Sequence, residues 1–157
     1  DIMASCAGIL GTELSANTAE DSVNLLPVLR GGKMEKPLHD VVIHHSGSGH
    51  FAIRKGQWKL LLCRGSGGWS PPREAEAAKQ NLPMLQLYDL ASDPKESKNL
   101  QAKYPDKVKE LAADLAKAFR NGRTTPGPRQ QNEGWPYAVP KPVLQKFPQL
   151  ADPKIKS

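Results

Sequence analysis

Four histidines, His39, His44, His45 and His50, fall within twelve residues, and the chain has no others. Imidazole changes charge near neutrality, so it can ligate a metal, move a proton or bond an oxyanion. A metal site is the weakest of these readings. On an extended segment His44 and His45 point to opposite faces, so one ion cannot take both. No Cys or acidic residue stands beside them at structural-zinc spacing. What remains is a strand end, His45 with Ser46, whose imidazole and hydroxyl can bond the oxygens of an anion or a sugar. The simpler alternative is a pair of solvated loop histidines.

A second group follows at Arg64-Gly65-Ser66-Gly67-Gly68-Trp69-Ser70-Pro71-Pro72. Three glycines ahead of a Trp make a tightly folded backbone that presents one large flat side chain. A Trp face suits stacking on a sugar ring, and the Arg64 guanidinium suits two-point contact with an anionic group. A phosphate loop would need a Lys and a strand–loop–helix setting, and the segment has neither. The simpler alternative is that Trp69 pins its own loop to a sheet. Arg54, Lys55 and Lys59 read as solvated turn and edge charges, because period-two alternation scatters them. Cys6 lies in an apolar helical pattern and Cys63 ends an apolar strand, so both read as buried free thiols.

The elements that must position these groups form an α+β pattern. Asp40 to Ser46 reads as a strand. Residues 51–54 and 57–63 read as a hairpin turning at Lys55-Gly56, since Gly accepts positive φ without steric cost. Residues 85–90 make a fourth strand, ended by a turn at Ser92-Asp93-Pro94. The result is a small, about four-stranded antiparallel sheet. One long helix starts at Tyr104-Pro105-Asp106, with Val108, Leu111, Ala112, Leu115 and Phe119 on one apolar face. Ahead of the sheet, Ile2 to Leu10 reads as a helix capped by Asp1 and stopped by Gly11. A shorter helical turn follows and is halted near Pro27. After Thr124 seven prolines bar regular structure, while Trp135, Tyr137, Leu144 and Phe147 give the segment something to bury. It reads as an extended arm. The organisation is therefore a lead-in (1–37), a sheet-and-helix subdomain (38–123) and a Pro-rich arm (124–157).

The net charge of +6 attracts polyanions in general, but no basic cluster is long enough to mark a nucleic-acid or anionic-membrane surface. No apolar run approaches the ~20 residues of a membrane span.

Gly49-His50-Phe51-Ala52-Ile53-Arg54-Lys55-Gly56-Gln57-Trp58-Lys59-Leu60-Leu61-Leu62-Cys63 is answered by Leu87-Tyr88-Asp89-Leu90-Ala91-Ser92-Asp93-Pro94-Lys95-Glu96-Ser97-Lys98-Asn99-Leu100. This pairing resembles the C-terminal subdomain of sulfatases of the arylsulfatase type. Upstream, Asp1-Ile2-Met3, Ala7-Gly8, Asp21-Ser22 and Leu26-Pro27-Val28-Leu29 resemble the segment leading into it, so the likeness runs from residue 1 to about 122. The resemblance implies a C-terminal fragment, which the lack of an initiator Met fits, of a secreted or periplasmic sulfuric ester hydrolase. Its partners would be the N-terminal catalytic domain of the same protein and a sulfated carbohydrate or aryl sulfate substrate. The family's nucleophile is an oxidised Cys or Ser in Cys/Ser-x-Pro-x-Arg, and its cation is usually calcium; the resemblance places both in the missing N-terminal domain. Here Cys6 and Cys63 have no Pro two residues on, and Ser92-Asp93-Pro94-Lys95-Glu96 has Glu where Arg is required. No catalytic residue and no metal ligand is assigned to this chain. The resemblance implies that His45 and Ser46, just before the hairpin, reach the pocket rim; Arg64 and Trp69 are further candidate substrate contacts by residue type alone. In some arylsulfatases the loop after the hairpin gives the pocket a histidine; Gly68 and Trp69 stand there instead. Two other readings are a free-standing anion- or carbohydrate-binding module and a phosphatase- or phosphodiesterase-like relative.

Overall fold

Residues 1–132 and 139–151 are described in a computed structural model. They divide into two units, residues 1–40 with 118–132, and residues 41–117 with 139–151.

In the first unit, helix α1 (Ile2–Leu10) is closed by Gly11 in the left-handed conformation, φ +64°, as the spacing predicts. Asp1 stands at the N-cap position but does not cap. Its carboxylate instead accepts from the Val23 amide at 2.9 Å and meets His39 Nε2 at 2.8 Å. Cys6 is exposed, not buried. The helix turns Ser5 inward, where its hydroxyl donates to the Asp1 carbonyl (2.7 Å) and accepts from the Leu25 amide (2.9 Å). Helix α2 (Leu26–Leu29) carries Pro27 in its first turn and is not halted by it. A proline in the first turn lacks only an amide that would have no helical partner. Arg123 is buried and donates to the carbonyls of Ala16 (2.8 Å), Thr125 (2.9 Å) and Pro128 (3.0 Å). The Asp21 carboxylate accepts from the amide and the hydroxyl of Thr124. One guanidinium and one carboxylate thereby fasten the 118–132 segment to the lead-in.

In the second unit, β1 (Val42–His45), β2 (Phe51–Lys55), β3 (Trp58–Leu61) and β4 (Gln86–Asp89) form one antiparallel sheet in that order. The hairpin turn is one residue later than expected, at Gly56-Gln57, with Gly56 at φ +57°. Ile43, Ile53, Leu60 and Leu87 stand opposite one another across the four strands, and the last three are fully buried. His44 pairs with Ala52 and His45 with Phe51, so the two histidines do face opposite sides.

Asp89, Asp93, Glu96 and Asn99, at the end of β4 and in the segment after it, all have partners. Asp89 accepts from the Ala91 amide, and Asp93 accepts from the Ser97 hydroxyl and the Lys98 amide. These bonds hold the Asp93 carboxyl below the usual carboxylate range, the Lys98 amide contributing most. Glu96 pairs with Lys59 at 2.6 Å. Asn99 accepts from the Leu87 amide and donates to the Leu85 carbonyl, while the Leu100 amide bonds the Leu87 carbonyl.

Between β3 and β4 lies helix α3 (Glu74–Lys79). After β4 comes α4 (Pro105–Asn121), whose Val108, Leu111, Ala112, Leu115 and Phe119 are all buried, the face that the helical period predicts. Burying a Leu contributes about 1.5–3 kcal/mol. Lys55 at the hairpin turn reaches Asp114 (2.8 Å) and Glu110 (3.2 Å) on α4, and the Trp58 ring meets Tyr104 edge-on at 5.1 Å. In the Pro-rich arm the chain does form regular structure, α5 (Lys141–Lys146) and a 3₁₀ turn (Pro148–Leu150). Pro142 and Pro148 sit in the first turns, and Val143, Phe147 and Leu150 are buried. Trp135 and Tyr137 lie outside the described residues. No helix among the described residues is long and apolar enough to cross a membrane.

Candidate functional site

Two loops and the start of α3 enclose an open cleft of about 320 Å³, lined by Ser48, His50, Gly67, Gly68, Trp69, Arg73, Glu74 and Ala75. The first loop, 46–50, is held by Ser46. Its hydroxyl accepts the amides of Ser48 and His50 at 3.3 Å each, and its own amide donates to the His50 carbonyl at 3.0 Å. An oxygen committed to two local amides sets the loop's shape and leaves the cleft wall to its neighbours. His50 is one of them, and its Nδ1 is buried without a hydrogen-bond partner.

The second loop runs from Cys63 to Arg73. The Glu74 carboxylate accepts the amides of Arg64 and Gly65 at 3.0 Å each, and Gln86 Nε2 donates to the Gly65 carbonyl at 2.7 Å. At Gly65 a Cβ would lie 2.6 Å from the Pro72 carbonyl oxygen, so only glycine allows the two ends of this loop to touch. Ser66 Oγ bonds the Ser70 carbonyl at 2.6 Å. The tip that this frame carries is Trp69, 86% exposed, with Arg73 Nε donating to its carbonyl at 3.4 Å. Under the loop, burial and then the Glu74 charge push the Cys63 thiol up to about 11. It therefore stays protonated and inert at neutral pH.

Of the four side chains that the sequence singles out, Trp69 lines the cleft and Ser46 shapes its wall. His45 and Arg64 lie outside it. His45 is exposed, with Nδ1 3.1 Å from the Ser46 carbonyl and its ring edge-on to Phe51 at 5.7 Å. The Arg64 guanidinium turns to the Met84 sulfur. The cleft holds Arg73 and His50 in their place. Arg73 escapes a motif search because α3 itself does; the Ala-rich run Glu74-Ala75-Glu76-Ala77-Ala78-Lys79, with acids first and a Lys last, was the available signal.

Chemically the cleft is equipped to bind. It offers an exposed ring face, a guanidinium and an imidazole, which suit a sugar carrying an anionic substituent. Its one carboxylate is occupied by backbone amides. Among the described residues no group of three or more His, Cys, Asp and Glu could hold a metal ion. The cations of the hairpin form no anion site: Arg54 Nε donates to the Gly56 carbonyl, and Lys55 and Lys59 are paired with acids. The Asp114 bond raises the Lys55 pKa further. His44, on the far face, is held below the ordinary histidine value by burial and then by Lys59.

A family model describing the C-terminal region of aryl-sulfatase matches residues 37–151. A solved structure described in the context of glycosaminoglycan metabolism by Bacteroides thetaiotaomicron is 29% identical, with a TM-score of 0.58. The match covers 75% of this chain and 24% of that one. A structure from the same organism described as a candidate sulfatase is similar in fold, at 24% identity and TM-score 0.53, over 85% of this chain and 30% of that one. So is a 2-O GAG sulfatase, at 22% identity and TM-score 0.50 over the same shares. The match thus spans 24% to 30% of the length of these structures.

Proposed function

The chain belongs to the family of aryl-sulfatase C-terminal regions, and from that premise we propose that it completes a sulfatase acting on a sulfated carbohydrate and forms one wall of its substrate pocket. The nucleophile and its cation, expected to be calcium, belong in this reading to a catalytic half carried by the same polypeptide. This chain's own residues bind and orient. The Trp69 face stacks on a sugar ring, Arg73 bonds an anionic substituent, and His50 Nδ1 meets an oxygen deeper in the cleft. His45 and Arg64 stand on the flanks, where a longer saccharide would reach them. The observation that carries this reading is the exposed Trp69 ring beside Arg73 at the mouth of a cleft with an unpartnered imidazole nitrogen. The sugar chemistry is further supported by the 29% identical structure described in the context of glycosaminoglycan metabolism.

Contacts remote from the cleaved ester contribute only when the substrate possesses the remote part. In the intact enzyme, Trp69→Ala, Arg73→Ala and His45→Ala are therefore expected to lower kcat/KM on a sulfated saccharide more than on a small aryl sulfate. For Trp69 the difference should be about 1–3 kcal/mol, by analogy with base stacking. Equal losses on both substrates, or none on either, would overturn the assignment. Saccharide binding by this chain alone, as tight as by the whole enzyme, would favour the free-standing module.

A further inference from the structure

Gln86 and Tyr88 stand two residues apart on β4, so their side chains share one face of the sheet. The pairing of β3 with β4 ends at Leu61 opposite Gln86. Beyond that point the Gln86 side chain continues the contact. Its Nε2 donates to the carbonyls of Cys63 at 2.9 Å and Gly65 at 2.7 Å, which uses both amide hydrogens. Its Oε1 accepts from the Tyr88 hydroxyl at 2.6 Å. An amide oxygen turned toward two carbonyls would find no proton there, so the Tyr88 bond fixes the one orientation that serves the loop. Tyr88 is buried, and burial first and then the Glu96 charge raise its pKa, so the phenol keeps the proton that it donates. The peptide that carries the Gly65 carbonyl also carries the Ser66 amide, which donates to the Pro72 carbonyl at 2.9 Å. Pro72 adjoins Arg73. A line of hydrogen bonds therefore runs from the sheet to the guanidinium residue of the cleft, and bonds in such a line polarise one another. The Cys63–Arg64 peptide is held on both sides as well, its carbonyl by Gln86 and its N–H by Glu74.

We infer that Gln86, oriented by Tyr88, is a positioning residue for the cleft: it sets where Trp69 and Arg73 stand at the cleft mouth without touching a ligand itself. Its effect on turnover rests on the sulfatase reading above. Neither Gln86 nor Tyr88 is among the described residues that line the cleft. Both act through the frame of the 63–73 loop, whose tip is the exposed Trp69.

The test uses the intact enzyme labelled with 5-fluorotryptophan, the Trp69 fluorine signal being assigned by its loss in Trp69→Phe. Tyr88→Phe keeps the buried ring and removes only the hydroxyl; Gln86→Met removes both ends of the amide. Each should shift or broaden the Trp69 signal and leave that of Trp58, at the far end of β3, in place. An unmoved Trp69 signal in both variants would overturn the inference, whatever the substrate proves to be. In kinetics each variant should lose about fivefold in kcat/KM on a sulfated saccharide and keep its rate on a small aryl sulfate. In the Trp69→Ala, Arg73→Ala background the same substitutions should cost nothing further on the saccharide, because nothing is left to misplace. Equal losses on both substrates, or losses that add undiminished in that background, would reduce Gln86 to a structural role and overturn the inference. Trp69→Ala alone separates the two ideas. If it spares the saccharide, the functional reading of the cleft fails, and the fluorine signal still decides the positioning.

Discussion

The Glu74 carboxylate takes the Gly65 amide at 3.0 Å, so the first turn of α3 holds the loop that follows β3. The same carboxylate takes the Arg64 amide. Two consecutive amides on one carboxylate form a fixed corner, and Trp69 and Arg73 hang between its ends. Hydrogen bonds to a charged acceptor contribute about 1.5–3 kcal/mol each, and orphaned donors cost more than exposed ones. Glu74→Ala should therefore destabilise the protein by about 2–4 kcal/mol in urea unfolding, with Glu74→Gln losing less. Equal stability of all three would show that water replaces the carboxylate without loss.

Two glycines should separate conformational strain from collision. Gly56 and Gly122 both have positive φ, +57° and +62°. A Cβ at Gly56 meets open space, whereas at Gly122 it would lie 2.2 Å from the Gln130 carbonyl oxygen. Gly56→Ala should cost about 1 kcal/mol and Gly122→Ala about 2–4 kcal/mol. Thermal unfolding of the two variants reads the difference, and equal losses would contradict it.

Cys63 gives the protein an alkaline limit. Its pKa rises from 9.0 to about 11 on folding, through burial first. A group whose folded pKa is raised contributes stability that is complete below the unfolded value and lost as pH climbs through the folded one. Stability should therefore fall between about pH 9 and 11. Cys63→Ala should flatten that part of the curve, whatever its cost at neutral pH.

His44 works at the other end. Burial and Lys59 lower its pKa, so the folded state favours the neutral ring. Protonation then opposes folding, and stability present above the ordinary histidine pKa declines as pH drops through the lowered one. An NMR titration should find the His44 ring midpoint below 6.5. His44→Gln should reduce the slope of stability against pH on the acid side of neutrality.

The chain alone should not turn over an aryl sulfate, with or without calcium, because in the proposed reading it binds and orients without supplying the nucleophile. Turnover surviving substitution of both cysteines and repurification would refute that division of labour.

Much of the sheet was legible because its signals are local. Gly56 between two apolar runs announces a hairpin, and the helical period from Val108 to Phe119 needs no tertiary knowledge. The cleft was less legible, since its members come from two loops and a six-residue helix. Trp69 stood out by type. Arg73 did not, for its role depends on how Glu74 folds the loop back, a relation spanning several residues with no spacing rule. Cys6 misled for the opposite reason. Its apolar neighbours read as core, yet Ser5, through hydroxyl bonds that pattern reading does not weigh, took the inner position.

The Asn99 side chain has a consequence for the sheet as a whole. By bonding the amide of Leu87 and the carbonyl of Leu85, it takes up main-chain groups beside β4 that an incoming strand would need. At the opposite border β1 pairs with β2 alone among the described residues. The sheet is thus stoppered on one flank only. Any foreign strand seeking a template, in crowded synthesis or in aggregation, meets a blocked rail at β4 and a four-residue one at β1 that carries two adjacent imidazoles.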